Sequence, residues 1–243
     1  MGSLSSEERA ATERAAAEPM LHQLLAWTAV NSGSRNLAGL ERMADLLVDA
    51  FSTLPGLLRL ERPATVKTVD SKGREVAIEH GRHLRLTVRP TAPVQLLLTG
   101  HMDTVYALDH PFQETRWIED GVLNGPGVAD MKGGIAVMLA ALKAVERSKL
   151  ADRVGYEVLI NSDEEVGSPS SAALLAETAR GKQAALTYEP AALPDGTLAG
   201  ARPGSGNFDF VVKGRSAHAG RNPQDGRNAL VAAAELALRL SMS

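Results

Sequence analysis

The chain has 243 residues, of which 44% are hydrophobic, and 26 basic against 29 acidic side chains leave a formal net charge of −3. That is enough apolar material for one large domain or a domain and a half, and the charge balance, with no concentrated basic patch, excludes nucleic acid as an expected partner. With no cysteine there is neither disulfide nor thiolate metal site, and with no apolar run of about 18 residues no membrane span is expected; the polar start, Ser3 to Glu18, lacks secretory-signal character, so a cytoplasmic location is expected.

Ser5-Ser6-Glu7-Glu8 predicts a helix start with acids in its first turn. Met20, Leu21, Leu24, Leu25 and Val30 predict one amphipathic helix ending near Asn31-Ser32-Gly33. Asn36 caps a further helix that carries Leu37, Leu40, Met43, Leu46, Leu47 and Phe51 at helical spacing and stops at Pro55-Gly56. Leu57 to Pro90 reads as extended segments, with turns at Ser71-Lys72-Gly73 and His80-Gly81. Val94 to Thr99 is a strand. Gly133 to Lys149 is a helix apolar on most faces, hence well buried. Val154 to Ile160 is a strand. Ser168-Pro169 starts a helix that runs to about Arg180, with Gly181 as its stop. Ala184 to Tyr188 is again a strand. After Gly204 the character changes: Phe208 to Val212 reads as a strand, Gly214 to Pro223 as a loop, and Arg227 to Leu240 as an Ala/Leu-rich helix. Alternating strands and helices predict the α/β class, with a central, mostly parallel sheet flanked by helices. The expected domains are 1–202 and the incomplete start of a second domain, 203–243, because one strand and one helix cannot bury their own apolar faces.

The chemistry concentrates at strand ends. His101 and Asp103 follow the apolar run Val94 to Thr99 and the strand-ending Gly100. Asp130 lies in the loop Gly127-Val128-Ala129-Asp130-Met131-Lys132-Gly133-Gly134. Glu164 and Glu165 follow the strand ending at Ile160, and Glu189 follows Tyr188. Ligands of open α/β sheets bind outside the carboxyl ends of strands, which is where these residues fall. One imidazole and several carboxylates without thiolates suit zinc or another borderline-to-hard divalent ion. Asp103 is placed to orient the His101 ring, as carboxylates behind metal-bound histidines do. A nucleotide-binding reading is poor, because Gly125-Pro126-Gly127 is not a phosphate-cradling pattern and the acids would repel phosphate. His22, His80, His83 and His110 read as surface residues, Trp27 and Trp117 as packing residues, and Lys132 as a structural part of the loop presenting Asp130.

Five segments, in order, resemble the M20 family of metallopeptidases: Gly100-His101-Met102-Asp103-Thr104-Val105, Gly125 to Gly134, Ser162-Asp163-Glu164-Glu165-Val166-Gly167-Ser168, Tyr188-Glu189-Pro190, and Lys213 to Gly220 with His218. The flavour is that of the glutamate carboxypeptidase branch, through Gly-Pro-Gly-Val-Ala-Asp-Met-Lys-Gly-Gly and a Glu at position 189. The resemblance implies a zinc-peptidase-like catalytic domain over 1–202 and a smaller α+β lid or dimerisation domain beginning at 203. It implies two zinc ions, with cobalt or manganese as substitutes. His101, Asp130 and Glu189 would hold one, and Asp130 would bridge to a second held also by Glu165. Glu164 would be the general base, Asp103 the orienter of His101, and His218 would reach across a homodimer to steady the oxyanion in the partner's site. The implied reaction is hydrolysis of an amide bond in an N-acyl amino acid or small peptide, with release of glutamate as one outcome. The family's last ligand to the second zinc is a His from a later segment that the 243 residues do not contain. Impaired activity through truncation at the C-terminus is therefore expected, and a catalytically silent metal-binding or dimerising fragment is the alternative.

Overall fold

The computed structural model describes residues 4–193, 195–198, 200, 204, 206 and 208–241. The chain divides into two compact units, one of Met1–Val66 with Ala77–Arg202 and one of Lys67–Val76 with Pro203–Ser243.

The first unit holds a five-stranded sheet in the order β1 (Leu57–Glu61), β4 (His83–Val88), β8 (Val154–Asn161), β5 (Val94–His101), β9 (Ala184–Thr187). The class is α/β and the sheet is mixed. β5 runs parallel to both β8 and β9, while β4 is antiparallel to β8 and to β1. The three parallel strands all end on the edge where the carboxylates lie. Between β1 and β4, β2 (Val66–Val69) and β3 (Glu75–Ile78) pair as a separate two-stranded sheet.

Alternation along the strands sorts the two faces. Leu84, Leu86, Leu98, Tyr156, Val158 and Ile160 are buried in one core with helices α2 (Met20–Thr28), α3 (Leu37–Phe51) and α4 (Gly134–Glu146). α3 starts where Asn36 accepts the Gly39 N–H at 3.1 Å, and its stripe Leu40, Met43, Leu47 and Phe51 is fully covered. On the opposite face Leu97 and Leu159 are buried. There Arg85 and Lys182 each pair with Glu157, both at 2.8 Å, and α5 (Ala172–Ala179) packs on β8.

Several expectations are corrected. The expected first helix is two, α1 (Ser6–Ala16) and α2, divided at Pro19, which has no N–H to continue a helical ladder. α1 opens on a capping box between Ser5 and Glu8. The helix expected from Ser168-Pro169 starts only at Ala172, because the Ser168, Ser170 and Ser171 backbones are held by Asp163. A hairpin of β6 (Arg116–Glu119) and β7 (Val122–Asn124) was not expected; its Asp120-Gly121 turn uses a left-handed glycine at φ 74°. Trp117 on that hairpin is 54% exposed, so it is no packing residue, whereas Trp27 is buried. His80 and His83 are buried, not surface residues.

In the second unit, Asp70 accepts the Lys72 and Arg74 N–H groups at 2.8 and 3.0 Å and makes a turn. An isolated bridge joins Arg215 and Arg227. α6 (Ala229–Ser241) begins where the Asn228 carboxamide accepts the N–H groups of Leu230 and Val231. The expected strand Phe208 to Val212 does not form: no neighbouring strand takes up its backbone groups among the described residues, and Phe208 and Phe210 are exposed.

Candidate active site

His101 closes β5, buried, with its N–H 3.1 Å from the Met131 sulfur. Its Nδ1 lies 3.0 Å from the Asp103 carbonyl oxygen and 3.3 Å from the Asp103 carboxylate. This leaves Nε2 facing outward, 3.0 Å from Asp130 Oδ1, 3.6 Å from Glu189 Oε1 and 3.9 Å from Glu164 Oε2. Ligand atoms fall in two groups, each within 4.8 Å of one another: His101 with Asp130 and Glu165, and His101 with Glu164 and Glu189. The structure thus gathers His101, Asp103, Asp130, Glu164, Glu165 and Glu189 at one place in the first unit. Glu189 groups with Glu164, where the resemblance paired it with Asp130. His218 belongs to the second unit, is exposed, and accepts the Gly220 N–H on Nδ1 at 3.1 Å.

Local backbone delivers each side chain. Gly127 adopts φ 72°, a left-handed conformation suited to glycine, and turns the chain into the irregular Val128–Gly133 segment that presents Asp130. Lys132, fully buried behind it, donates to the Trp27 and Val30 carbonyls at 3.2 and 2.8 Å; burial lowers its amine to about 8. At Gly134 a Cβ would collide with the Tyr188 carbonyl, so a bare α-carbon lets the end of β9 approach α4 and sets Glu189 beside His101.

Asp103 is buried and holds two parts of the site at once. Oδ2 accepts from Ser34 Oγ at 2.7 Å and Glu165 N at 3.2 Å, and Oδ1 accepts from Glu164 N at 3.2 Å. The carboxylate behind the imidazole therefore also anchors the Glu164-Glu165 backbone. Asp163 braces the same loop from below. It accepts Ser170 N at 2.6 Å, Ser170 Oγ at 2.8 Å and Ser171 Oγ at 2.7 Å. Burial opposes its ionisation, but these bonds outweigh burial and hold the carboxyl below its ordinary value. His83, its own value lowered by burial, lies 3.3 Å from both Ser162 N and Ser170 Oγ. Neither Ser34 nor Asp163 had a role legible in the sequence, and His83 reads there as a surface residue. The single available signal was the density of Ser, Asn and Asp from Asn161 to Ser171.

The electrostatics call for a cation. Burial pushes the His101 imidazole down, yet the Asp103 and Glu189 carboxylates overcome it and raise it to about 11. Burial, reinforced by Asp130, Asp103 and Glu164, lifts Glu165 to about 7 against the pull of His101. Glu164 is raised for the same reasons, burial first and then Glu189, Asp103 and Asp130. Several carboxylates around one imidazole nitrogen, with protons retained to relieve their repulsion, are a fit for a divalent ion bound by nitrogen and oxygen donors.

The profile of Peptidase family M20/M25/M40 matches residues 97–239. Carboxypeptidase G2 of Pseudomonas sp. (strain RS-16) is 39% identical over 144 residues, 59% of this chain and 35% of that protein. Acetylornithine deacetylase of Proteus mirabilis (strain HI4320) is 33% identical over 145 residues, 56% of this chain and 34% of its own length. The chain thus matches about a third of the length of these curated relatives. Among solved structures, the di-peptidase Dug1p from Saccharomyces cerevisiae superposes with TM-score 0.58 at 16% identity, over 75% of this chain and 40% of that one. An M20 family metallo-carboxypeptidase, Sso-CP2 from Sulfolobus solfataricus, superposes with TM-score 0.56 at 21% identity, over 74% and 39%. These likenesses show the fold.

Proposed function

Because the chain belongs to peptidase family M20/M25/M40, we propose that it carries the metal-holding part of a hydrolase that cleaves amide bonds in N-acyl amino acids or small peptides. The type is carboxypeptidase or deacylase. The observation that carries this reading is the convergence of Asp130, Glu164 and Glu189 on the outward nitrogen of a single buried imidazole. His101, Asp130 and Glu189 would hold one zinc ion, and Asp130 and Glu165 a second, with cobalt or manganese suited to similar donors. The grouping of His101 with Asp130 and Glu165 supports a common ion for those three, while the bridging role of Asp130 rests on the resemblance. A divalent ion bound there supplies Lewis acidity, which polarises the scissile carbonyl and makes a water easier to deprotonate.

The chain's own residues do the rest. Glu164, beside this cluster and with a raised proton affinity, takes the proton of the attacking water and hands it to the leaving amine. Asp103 fixes the His101 ring and keeps the Glu164 backbone in register with it. His218 would steady the developing oxyanion across a homodimer formed through residues 203–243, the beginning of a lid domain to the catalytic part, 1–202. Exposed Leu230, Val231 and Leu238 on α6 supply apolar surface for such a contact. N-acyl glutamate is the first substrate to try, on the strength of the Gly125–Gly134 segment, Glu189 and the similarity to a carboxypeptidase.

The test is zinc titration of the parent chain and of Asp130→Ala, together with hydrolysis of N-acyl glutamate. Zinc binding that weakens at least tenfold in Asp130→Ala is expected. Equal zinc affinity in the two proteins overturns the reading.

A further inference from the structure

Beside Glu165 the first unit carries a cavity of about 560 Å³, lined in part by Gly33, Leu37, Val105, Leu108 and Val166. That volume is in the range of small-molecule pockets. Its walls are built, not incidental. Ser34 N donates to the Thr104 carbonyl at 3.2 Å and Thr104 N to the Ser32 carbonyl at 3.0 Å, which joins this wall to the strand end bearing His101. At Gly33 a Cβ would collide with the Tyr106 carbonyl, so the two loops are in close contact. The 105–113 loop is tied down from within. Asn31 Nδ2 donates to the Tyr106 carbonyl at 3.2 Å and to Gln113 Oε1 at 2.8 Å, Gln113 donates to the Ala107 and His110 carbonyls, and Tyr106 meets the Phe112 ring edge-on at 4.9 Å.

This bracing has a consequence for Val105 and Leu108. Both are held on an ordered loop, yet Val105 is 63% and Leu108 71% exposed. An apolar side chain fixed in water forgoes the burial that usually stabilises it. Two of them facing one cavity, next to the metal-holding cluster, make a preformed apolar subsite. Glu164 must face the leaving nitrogen to return the proton. The cavity is lined by Glu165 and not by Glu164, which on the hydrolase reading sets it toward the other side of the scissile bond.

We propose that this cavity is the subsite for an apolar acyl substituent, branched aliphatic or phenyl, on the acyl side of the scissile amide. The assignment of side rests on the hydrolase reading above; the cavity's preference for apolar ligands does not. The probes are therefore neutral amides, 4-phenylbutyramide and acetamide, titrated into the metal-free and zinc-loaded chain and followed by the methyl NMR signals of Leu37, Val105, Leu108 and Val166. The expected result is saturable shifts at those methyls in both forms, with 4-phenylbutyramide binding at least tenfold tighter than acetamide. Leu108→Asp and Val105→Asp should each weaken 4-phenylbutyramide at least fivefold. Leu150→Asp, an equally polar change at an exposed leucine outside the cavity, should not. Both cavity residues are mostly exposed, so the variants should melt with the parent. Absence of the apolar preference, shifts confined to other methyls, or affinity unaffected by both cavity variants overturns the proposal. A chain that takes no zinc but retains the preference refutes the hydrolase reading and leaves the apolar subsite standing.

Discussion

Asp103→Ala should damage both fold stability and metal affinity, because one buried carboxylate serves the imidazole and the Glu164-Glu165 loop together. Alanine strands three donors: Ser34 Oγ at 2.7 Å and the N–H groups of Glu164 and Glu165, both at 3.2 Å. A buried donor left unsatisfied costs about 1–3 kcal/mol. The Ser34 hydroxyl has a fallback in the Thr104 carbonyl at 3.5 Å, and exposed Glu164 admits water to the loop N–H groups. The sum is then near the lower bound, about 3 kcal/mol. Asp103→Asn keeps one acceptor oxygen. With that oxygen at the Oδ1 position it still accepts Glu164 N, and the Ser34 hydroxyl can turn to accept from the new amide, which leaves Glu165 N as the lost partner and a cost of about 1–2 kcal/mol. Loss of the group behind the imidazole should weaken zinc binding by about 10–100-fold in the alanine variant. Urea denaturation of the metal-free proteins gives the first quantity and chelator competition the second. Asp103→Ala within about 0.5 kcal/mol of the parent, below any single stranded donor, or equal zinc affinity, would refute the account of Asp103 as a double anchor.

Further outcomes follow from the same geometry. Asp163→Ala removes the acceptor of Ser170 N, Ser170 Oγ and Ser171 Oγ. It should cost about 3 kcal/mol and speed amide exchange selectively between Glu164 and Ser171; unchanged exchange there contradicts the bracing role. Glu164→Gln should keep zinc affinity within a few-fold while any amide hydrolysis falls by about 10²–10⁴-fold; retained turnover assigns the proton transfer to another group. The metal-free chain should lose stability as pH rises from 6.5 to 8. His101 titrates at about 11 folded against an ordinary 6.5, so its contribution is complete below 6.5 and drains away toward 11. Glu165, raised to about 7, acts in the same direction, since the folded state holds the extra proton. His80 and His83, both lowered by burial, oppose this loss near pH 6.5, where the unfolded chain still binds their protons, and Lys132, lowered to about 8, opposes it near pH 8. The net slope should be a loss of less than one proton, below about 1.4 kcal/mol per pH unit, and zinc saturation should remove that loss because the ion replaces the proton; a flat or rising metal-free profile refutes the cation-deficient site.

Local chemistry was legible in the sequence wherever it depends on near neighbours. The Asn36 cap, the turn at Ser71-Lys72-Gly73, the stop at Gly181 and the strands expected to end at Thr99, Ile160 and Tyr188, which end at His101, Asn161 and Thr187, all rest on φ/ψ preference and apolar periodicity within a few residues. The candidate ligands were legible because each follows such a strand or sits in a glycine-rich loop. Periodicity states which face a residue occupies, but not which strand lies beside it. Only the tertiary structure decided that β4 runs antiparallel beside β8, that Glu189 comes to rest nearer Glu164's group than Asp130's, and that Trp117 stays exposed. It also decided that His83 is buried among Ser162, Ser170 and the Asp163 carboxylate, since hydrogen-bond partners about 80 positions away leave no local trace. The same reason hid Ser34, whose single decisive contact is with a carboxylate 69 residues downstream. The donor types of this protein's site were set by sequence-local signals; their pairing, burial and proton affinity were set by distant chain segments packed into a low-dielectric interior.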